Sequence, residues 1–194
     1  MATDPFASAL FLIGAMVLAG LAHSAWLRAP LSKRFAMPLD GGLTVRGRRL
    51  LGDNKTVRGF LVMVPAAALS FVALRVVIEA LAPGLTNALW PRTTAGYGAL
   101  GAWAGLGFML GELPNSFVKR QLDVAPGEAP RGAVARVVGF LIDRLDSIVG
   151  MLAAVTLVEP TPWMTWAYVI VIGPTVHWSF SVLLYYIGVK ARPA

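Results

Sequence analysis

The sequence predicts an all-α integral membrane fold of about five transmembrane helices, and three observations carry that expectation. Charged residues make up 14% of the chain and hydrophobic residues 57%, with a mean hydropathy of +0.67, whereas a soluble domain carries about 25% charged residues. Several apolar runs reach the roughly 20 residues that a spanning helix needs. The basic residues are gathered into alternate loops, the distribution that the positive-inside rule imposes.

Five segments qualify as spans. Residues 7–26 form a clean apolar run. Asp4 stands where a cleaved signal would be positive, and basic residues follow the run rather than precede it, so it reads as a permanent first helix. Residues 59–81 are equally clean. Residues 96–117 are rich in Gly and Ala and end in a polar cluster, and 137–158 carry Asp143, Arg144 and Asp146. Residues 163–189 are long and broken near Pro174. The connections 28–58 and 119–136 hold most of the cations, among them Arg46, Arg48, Arg49, Lys55, Arg58, Lys119, Arg120 and Arg136, and the tail adds Lys190 and Arg192. This bias places the amino terminus outside and the carboxyl terminus in the cytoplasm, with one polytopic domain over residues 1–194.

Away from those loops the polar residues have ordinary explanations. Arg75 and Glu79 are four apart near the outer end of span two and are expected to form a structural pair. His23 and His177 are expected to make interhelical hydrogen bonds, and Trp26, Trp90 and Trp163 to mark the interfacial belt. Cysteine is absent, which excludes disulfides, thiolate catalysis and Cys-based metal sites. The net charge of +7 is accounted for by the loops, so no nucleic-acid partner is expected.

Three constellations point to chemistry. The first loop contains Asp40-Gly41-Gly42, the Arg46/Arg48/Arg49 group, and Gly52-Asp53-Asn54-Lys55-Thr56-Val57-Arg58-Gly59. Gly-rich backbone exposes N–H groups, Lys55 and Arg58 supply cations, and Thr56 or Asn54 is placed to cap the second span. A polyphosphate suits this combination, although the Walker A spacing is missing. A basic juxtamembrane loop against anionic headgroups fits equally well. The third span ends in Glu112, Pro114, Asn115, Ser116, Lys119 and Arg120. Pro114 interrupts the helical ladder, and Ser116 and Lys119 fall near one face with Glu112 close by. Snorkelling explains Lys119 and Arg120 but not Glu112, Asn115 and Ser116 together.

In the fourth span Asp143 and Asp146 lie three residues apart on one helix face, and Ser147 shares it. Each charge at mid-span costs about 2.5–3.5 kcal/mol on an insertion scale, and the two repel each other. A hard divalent cation such as Mg²⁺ relieves both penalties and brings phosphates with it. An ion pair with Arg144 would neutralise one aspartate, not two.

Read in order, Leu51–Gly59, Gly111–Asp123 and Ile142–Ser147 resemble the CDP-archaeol synthase family, and the resemblance covers most of the chain. The last two blocks are distantly similar to CDP-diacylglycerol synthases. Those carry a Pro-Gly-His-Gly-Gly-like stretch where residues 125–132 here have no histidine. The resemblance implies a nucleotidyltransferase of phospholipid biosynthesis. CTP plus a lipid phosphate, either an isoprenoid ether glycerol phosphate or phosphatidic acid, gives a CDP-lipid and pyrophosphate with Mg²⁺. It implies that Asp143 and Asp146 bind metal, with Glu112 and Asp123 completing the acidic site, and that Lys119 joins the two aspartates in catalysis. Asn54, Lys55, Thr56, Arg58, Ser116, Arg120 and Arg144 are implied to bind CTP or its phosphates. The site would face the cytoplasm from the cytoplasmic (inner) membrane, and a homodimer is left open.

Two other classes have distinct signatures. A transporter using Asp143 and Asp146 for a cation needs polar residues through the outer half of the bundle, which is apolar apart from Arg75 and Glu79. A CDP-alcohol phosphotransferase needs a D-x-x-D-G-x-x-A-R pattern, which Asp40-Gly41 and Arg46 match poorly.

Overall fold

The computed structural model describes residues 3–126, 128 and 130–186. Five long helices dominate: α1 (Pro5–Arg28), α2 (Val57–Leu81), α3 (Thr94–Gln121), α4 (Ala133–Val158) and α5 (Trp163–Tyr186). Each predicted segment falls on one of them. The expected end of span five at Val189, with Lys190 and Arg192, lies outside the described residues, as does the side chain of His177. Among the described residues, α1 and α2 are long and apolar enough to cross a membrane, and α5 contributes a shorter apolar stretch, Trp163–Val176.

Consecutive helices pack on one another, and α5 returns against α1, which closes the five into a ring. The end away from the two long connections is filled by aromatics. Phe11 meets Phe71 and Tyr97 edge to face, with ring centroids 5.2 and 5.3 Å apart. The Tyr97 hydroxyl donates to the Trp90 carbonyl at 2.8 Å. Trp90 is therefore a core residue, 1% exposed, and not the interfacial marker its residue type suggested, whereas Trp163 is 75% exposed. Arg75 and Glu79 pair at 3.7 Å as expected.

Two further expectations are corrected. Proline does not break α3 or α5, because Pro114 and Pro174 both lie inside continuous helices. A helix-interior proline removes one backbone hydrogen bond, which a helix braced by its neighbours tolerates. The fold is also not purely helical. Thr44–Val45 (β1) and Arg48–Arg49 (β2) form a small antiparallel hairpin. Its two connecting residues, Arg46 (φ 53°) and Gly47 (φ 77°), both take the positive φ that a tight two-residue turn demands.

Glycine sets how closely α3 and α4 approach. A Cβ at Gly107 would lie 2.6 Å from the Gly150 carbonyl oxygen. At Gly111 it would collide with the Asp146 carbonyl and reach 2.9 Å from the Gly150 Cα. Small residues four apart permit this backbone contact, and here they bring the two polar helix faces together.

Candidate active site

The site is built at the end of the bundle where the α1–α2 and α3–α4 connections lie. On α3, Glu112, Asn115, Ser116 and Lys119 follow the spacing of one helix face, and on α4 Asp143, Asp146 and Ser147 do the same. The glycine contact sets these faces opposite each other. The Asn115 amide donates to Asp143 Oδ1 at 2.6 Å and to Asp146 Oδ2 at 2.8 Å. Lys119 Nζ donates to Asp143 Oδ2 at 2.5 Å. Asp146 Oδ1 accepts the Ser147 backbone N–H at 2.6 Å, and the Ser147 hydroxyl donates to Glu112 Oε1 at 2.8 Å. Glu112 Oε2 accepts from Lys55 of the first loop. One continuous network thus runs from Lys55 through Glu112, Ser147, Asp146, Asn115 and Asp143 to Lys119.

Lys55 reaches this network because the first loop is closed at its neck and pinned inside. Leu39 N–H donates to the Lys55 carbonyl at 2.8 Å, and Val57 N–H to that of Met37 at 3.0 Å. Within the loop Asp40 is buried, and its carboxylate accepts from Gly42 N (3.1 Å), Leu51 N (2.9 Å), Gly52 N (3.1 Å) and Arg49 Nη2 (2.7 Å). The loop docks on the end of α3 through Arg48, which bonds the Gln121 carbonyl and pairs with Asp123 at 2.5 Å. Gly52, at φ 91°, lies so close to Arg120 that a Cβ would stand 3.3 Å from its Nη1. Arg120 is 8% exposed, and its Nε and Nη1 have no hydrogen-bond partner.

The bonds to Arg49 and to three backbone amides hold the Asp40 carboxyl well below the usual carboxylate range, against the opposing effect of burial. Its stabilising contribution is fully present above the unfolded value of about 3.9 and is lost only as pH falls through the lower folded value. Amide protection at Leu51 and Gly52, measured by hydrogen exchange, is therefore expected to persist on acidification to about pH 4 and to weaken progressively at lower pH, as the stabilisation declines toward the folded value. Asp40→Ala should remove that protection at every pH, since donors left unsatisfied cost about 1–3 kcal/mol each.

A cavity of about 320 Å³ opens beside the network, lined by residues of all five helices. Its walls are apolar over most of their extent, with Met16, Met63, Phe108 and Met151 among them. At the loop end the lining becomes polar: His23, Ser24, Glu112, Asp143, Arg144 and Ser147.

Not every residue expected at the site takes the place its residue type implied. Asp123 is not brought to the other carboxylates. It sits at φ 56° in the turn after α3, 68% exposed, and serves the Arg48 anchor. Thr56 occupies the N-cap position of α2, but its side chain makes no capping bond. Asn54 is exposed, and Ser116 is buried one turn before Arg120. Arg58 is half-buried with its Nε unpartnered. Arg144 does not pair with either aspartate; its guanidinium lies over the Phe140 ring, 3.4 Å from the centroid. Among the described residues no group of three or more Asp, Glu or His is poised around one point for a metal. Asn115, Ser147 and Asp40 stand in the polar constellations of the sequence without an assigned role, and His23 stands outside them. The partners of Asn115 and Ser147 lie on the facing helix, those of Asp40 come together only when the first loop closes, and the interhelical hydrogen bond expected of His23 is not made by its Nε2, which is buried without a partner.

Residues 34–193 match the family described as CarS-like, CDP-archaeol synthase. The chain is 36% identical over 163 residues to the CDP-archaeol synthase of Halobacterium salinarum, covering 80% of this chain and 82% of the relative. It is 32% identical over 183 residues to that of Methanococcoides burtonii, covering 87% and 98%. It also resembles a solved structure described as an intramembrane enzyme for archaeal membrane lipid biosynthesis. That match has a TM-score of 0.61 and 25% identity, and it covers 90% of this chain and 92% of the other. The chain belongs to the CarS-like, CDP-archaeol synthase family.

Proposed function

We propose that the protein is a membrane cytidylyltransferase that converts a lipid phosphate and CTP into a CDP-lipid and pyrophosphate, as the names of its relatives indicate. The observation that carries this reading is the convergence of Asp143 and Asp146 on Asn115, with Asp143 at the polar rim of an otherwise apolar cavity. An amphiphile with a phosphate at one end matches such a cavity. The relatives named CDP-archaeol synthase favour an isoprenoid ether lipid phosphate over phosphatidic acid as the acceptor.

Chemistry follows from charge. A phosphate monoester has a second pKa of about 6 and is mostly dianionic at neutral pH, so it attacks without a general base. One of its oxygens forms a bond to the α-phosphorus of CTP, the bond from that phosphorus to the bridging oxygen breaks, and the electron pair leaves with pyrophosphate. The obstacle is bringing two polyanions together, which fixed cations and alignment overcome. Lys55 of the first loop, Arg58 at the start of α2, and Lys119 and Arg120 of α3 form the triphosphate side. The buried, unpartnered N–H groups of Arg120 are suited to an anion that the loop backbone could enclose with them.

Asp143 and Asp146 fit a magnesium ion, which takes one or two carboxylates and otherwise keeps water and phosphate oxygens. Glu112 is one hydrogen bond away through Ser147 and supports the pair. Bound there, Mg²⁺ would neutralise developing charge on the phosphates. Until then, Lys119 and Asn115 balance the two carboxylates.

In this reading all five helices cross the membrane as one polytopic domain, with the site on the cytoplasmic side. Exposed apolar side chains on every helix support it, for example Leu18, Leu69, Leu110, Leu157 and Val171, because an outward apolar surface of this extent suits lipid. So does the concentration of Arg and Lys at the site end. Purified protein given labelled CTP, Mg²⁺ and a panel of ether and ester lipid phosphates should form labelled CDP-lipid, with the ether substrate preferred. Absence of product from both lipid classes would overturn the reading.

A further inference from the structure

In-line displacement requires the nucleophile and the leaving group to stand on opposite sides of the reacting phosphorus. The cations assigned above to the triphosphate, namely Lys55, Arg58, Lys119 and Arg120, come from the first loop, the start of α2 and α3, and none of them lines the apolar cavity. An acceptor phosphate therefore needs its own donors across the carboxylate network, on the α1 and α4 side.

Three residues there supply them. His23, near the end of α1, lines the polar rim, and its Nε2 is buried without a hydrogen-bond partner. Ser24 follows it on the same rim. Arg144 faces the rim from α4 and forms no salt bridge among the described residues; its guanidinium rests on Phe140 and donates to the Phe140 carbonyl at 3.4 Å. An unpaired imidazole nitrogen is costly unless a ligand satisfies it. Apolar walls lead away from this rim between the helices, as the tails attached to the phosphate require.

We infer that His23, Ser24 and Arg144 form the subsite for the phosphate monoester of the acceptor lipid, separate from the triphosphate subsite of the first loop and α3. His23 donates a hydrogen bond through Nε2 and orients the attacking oxygen; it neither gains nor loses a proton in the step. This assignment moves Arg144 from the nucleotide side, where the motif alone had put it, to the acceptor side. It rests on the cytidylyltransferase reading and adds to it where the acceptor is held.

Steady-state kinetics with lipid phosphate and CTP varied separately test it. His23→Leu should raise the KM for lipid phosphate about tenfold, the scale of one hydrogen bond to a charged group, while the KM for CTP stays within about twofold. His23→Gln, which keeps a donor near the Nε2 position, should recover most of the loss, a rescue that a purely structural role would not give. Arg144→Gln should move the same constant in the same direction, and it carries the test if His23→Leu fails to fold. An unchanged acceptor KM in both variants, or a rise confined to the KM for CTP, overturns the inference while the wild-type turnover still stands. Absent wild-type turnover would instead sink the parent reading.

Discussion

Asp146→Asn is expected to lower CDP-lipid formation by about a thousandfold, roughly 4 kcal/mol of transition-state stabilisation, without unfolding the protein. The substitution keeps the side-chain shape and retains an oxygen that can accept from Asn115, which now bonds Asp146 at 2.8 Å. It removes a negative charge from a cluster that also contains Asp143 and Glu112, so the helix pair loses repulsion and not packing. What disappears is half of the carboxylate pair proposed to hold the cation. Activity assays and a thermal melt in detergent on the same preparation separate the two effects. A parallel fall in melting temperature and activity would mean that Asp146 is structural.

Gly111→Leu should act through geometry. Its Cβ would overlap the Asp146 carbonyl and press on the Gly150 Cα, so α3 and α4 must separate. Overpacking of this kind costs about 1–3 kcal/mol, more when the obstacle is backbone. Separation also moves Asp146 away from Asn115, and a displacement of about 1 Å at a reacting centre can cost about a hundredfold in rate. Both stability and turnover should fall, and Gly150→Leu should reproduce the pattern. Gly84→Ala is the control, because nothing lies within 4 Å of a Cβ there, and it should leave both readouts within error.

The helices were legible because hydrocarbon imposes a length and a composition on each of them. Their ends were less so: α3 runs through Pro114 to Gln121, since a proline subtracts one hydrogen bond and its neighbours hold the rest. Asp143 and Asp146 announced themselves through the cost of paired charge in an apolar run. Asp40 did not. Its four hydrogen-bond partners lie up to twelve residues away and converge only when the loop closes, so its sequence context suggested a poor motif match. Asp123 misled in the opposite sense. It follows directly on the polar face of α3, but a positive-φ turn directs it to Arg48. His23 looked like any lone histidine in an apolar helix, because the cavity it faces is closed by residues distant in sequence, Met63 of α2 and those of α3, α4 and α5 from Phe108 onward.

In the proposed reaction Asp143 and Asp146 together hold a divalent cation against a triphosphate. Electron paramagnetic resonance of Mn²⁺ substituted for Mg²⁺, titrated into the folded protein with CTP present, tests it most directly. The wild type should show CTP-dependent bound Mn²⁺ that is lost in Asp143→Asn/Asp146→Asn, with the helices still folded by circular dichroism. Mn²⁺ bound with undiminished affinity in the double variant would contradict the assignment.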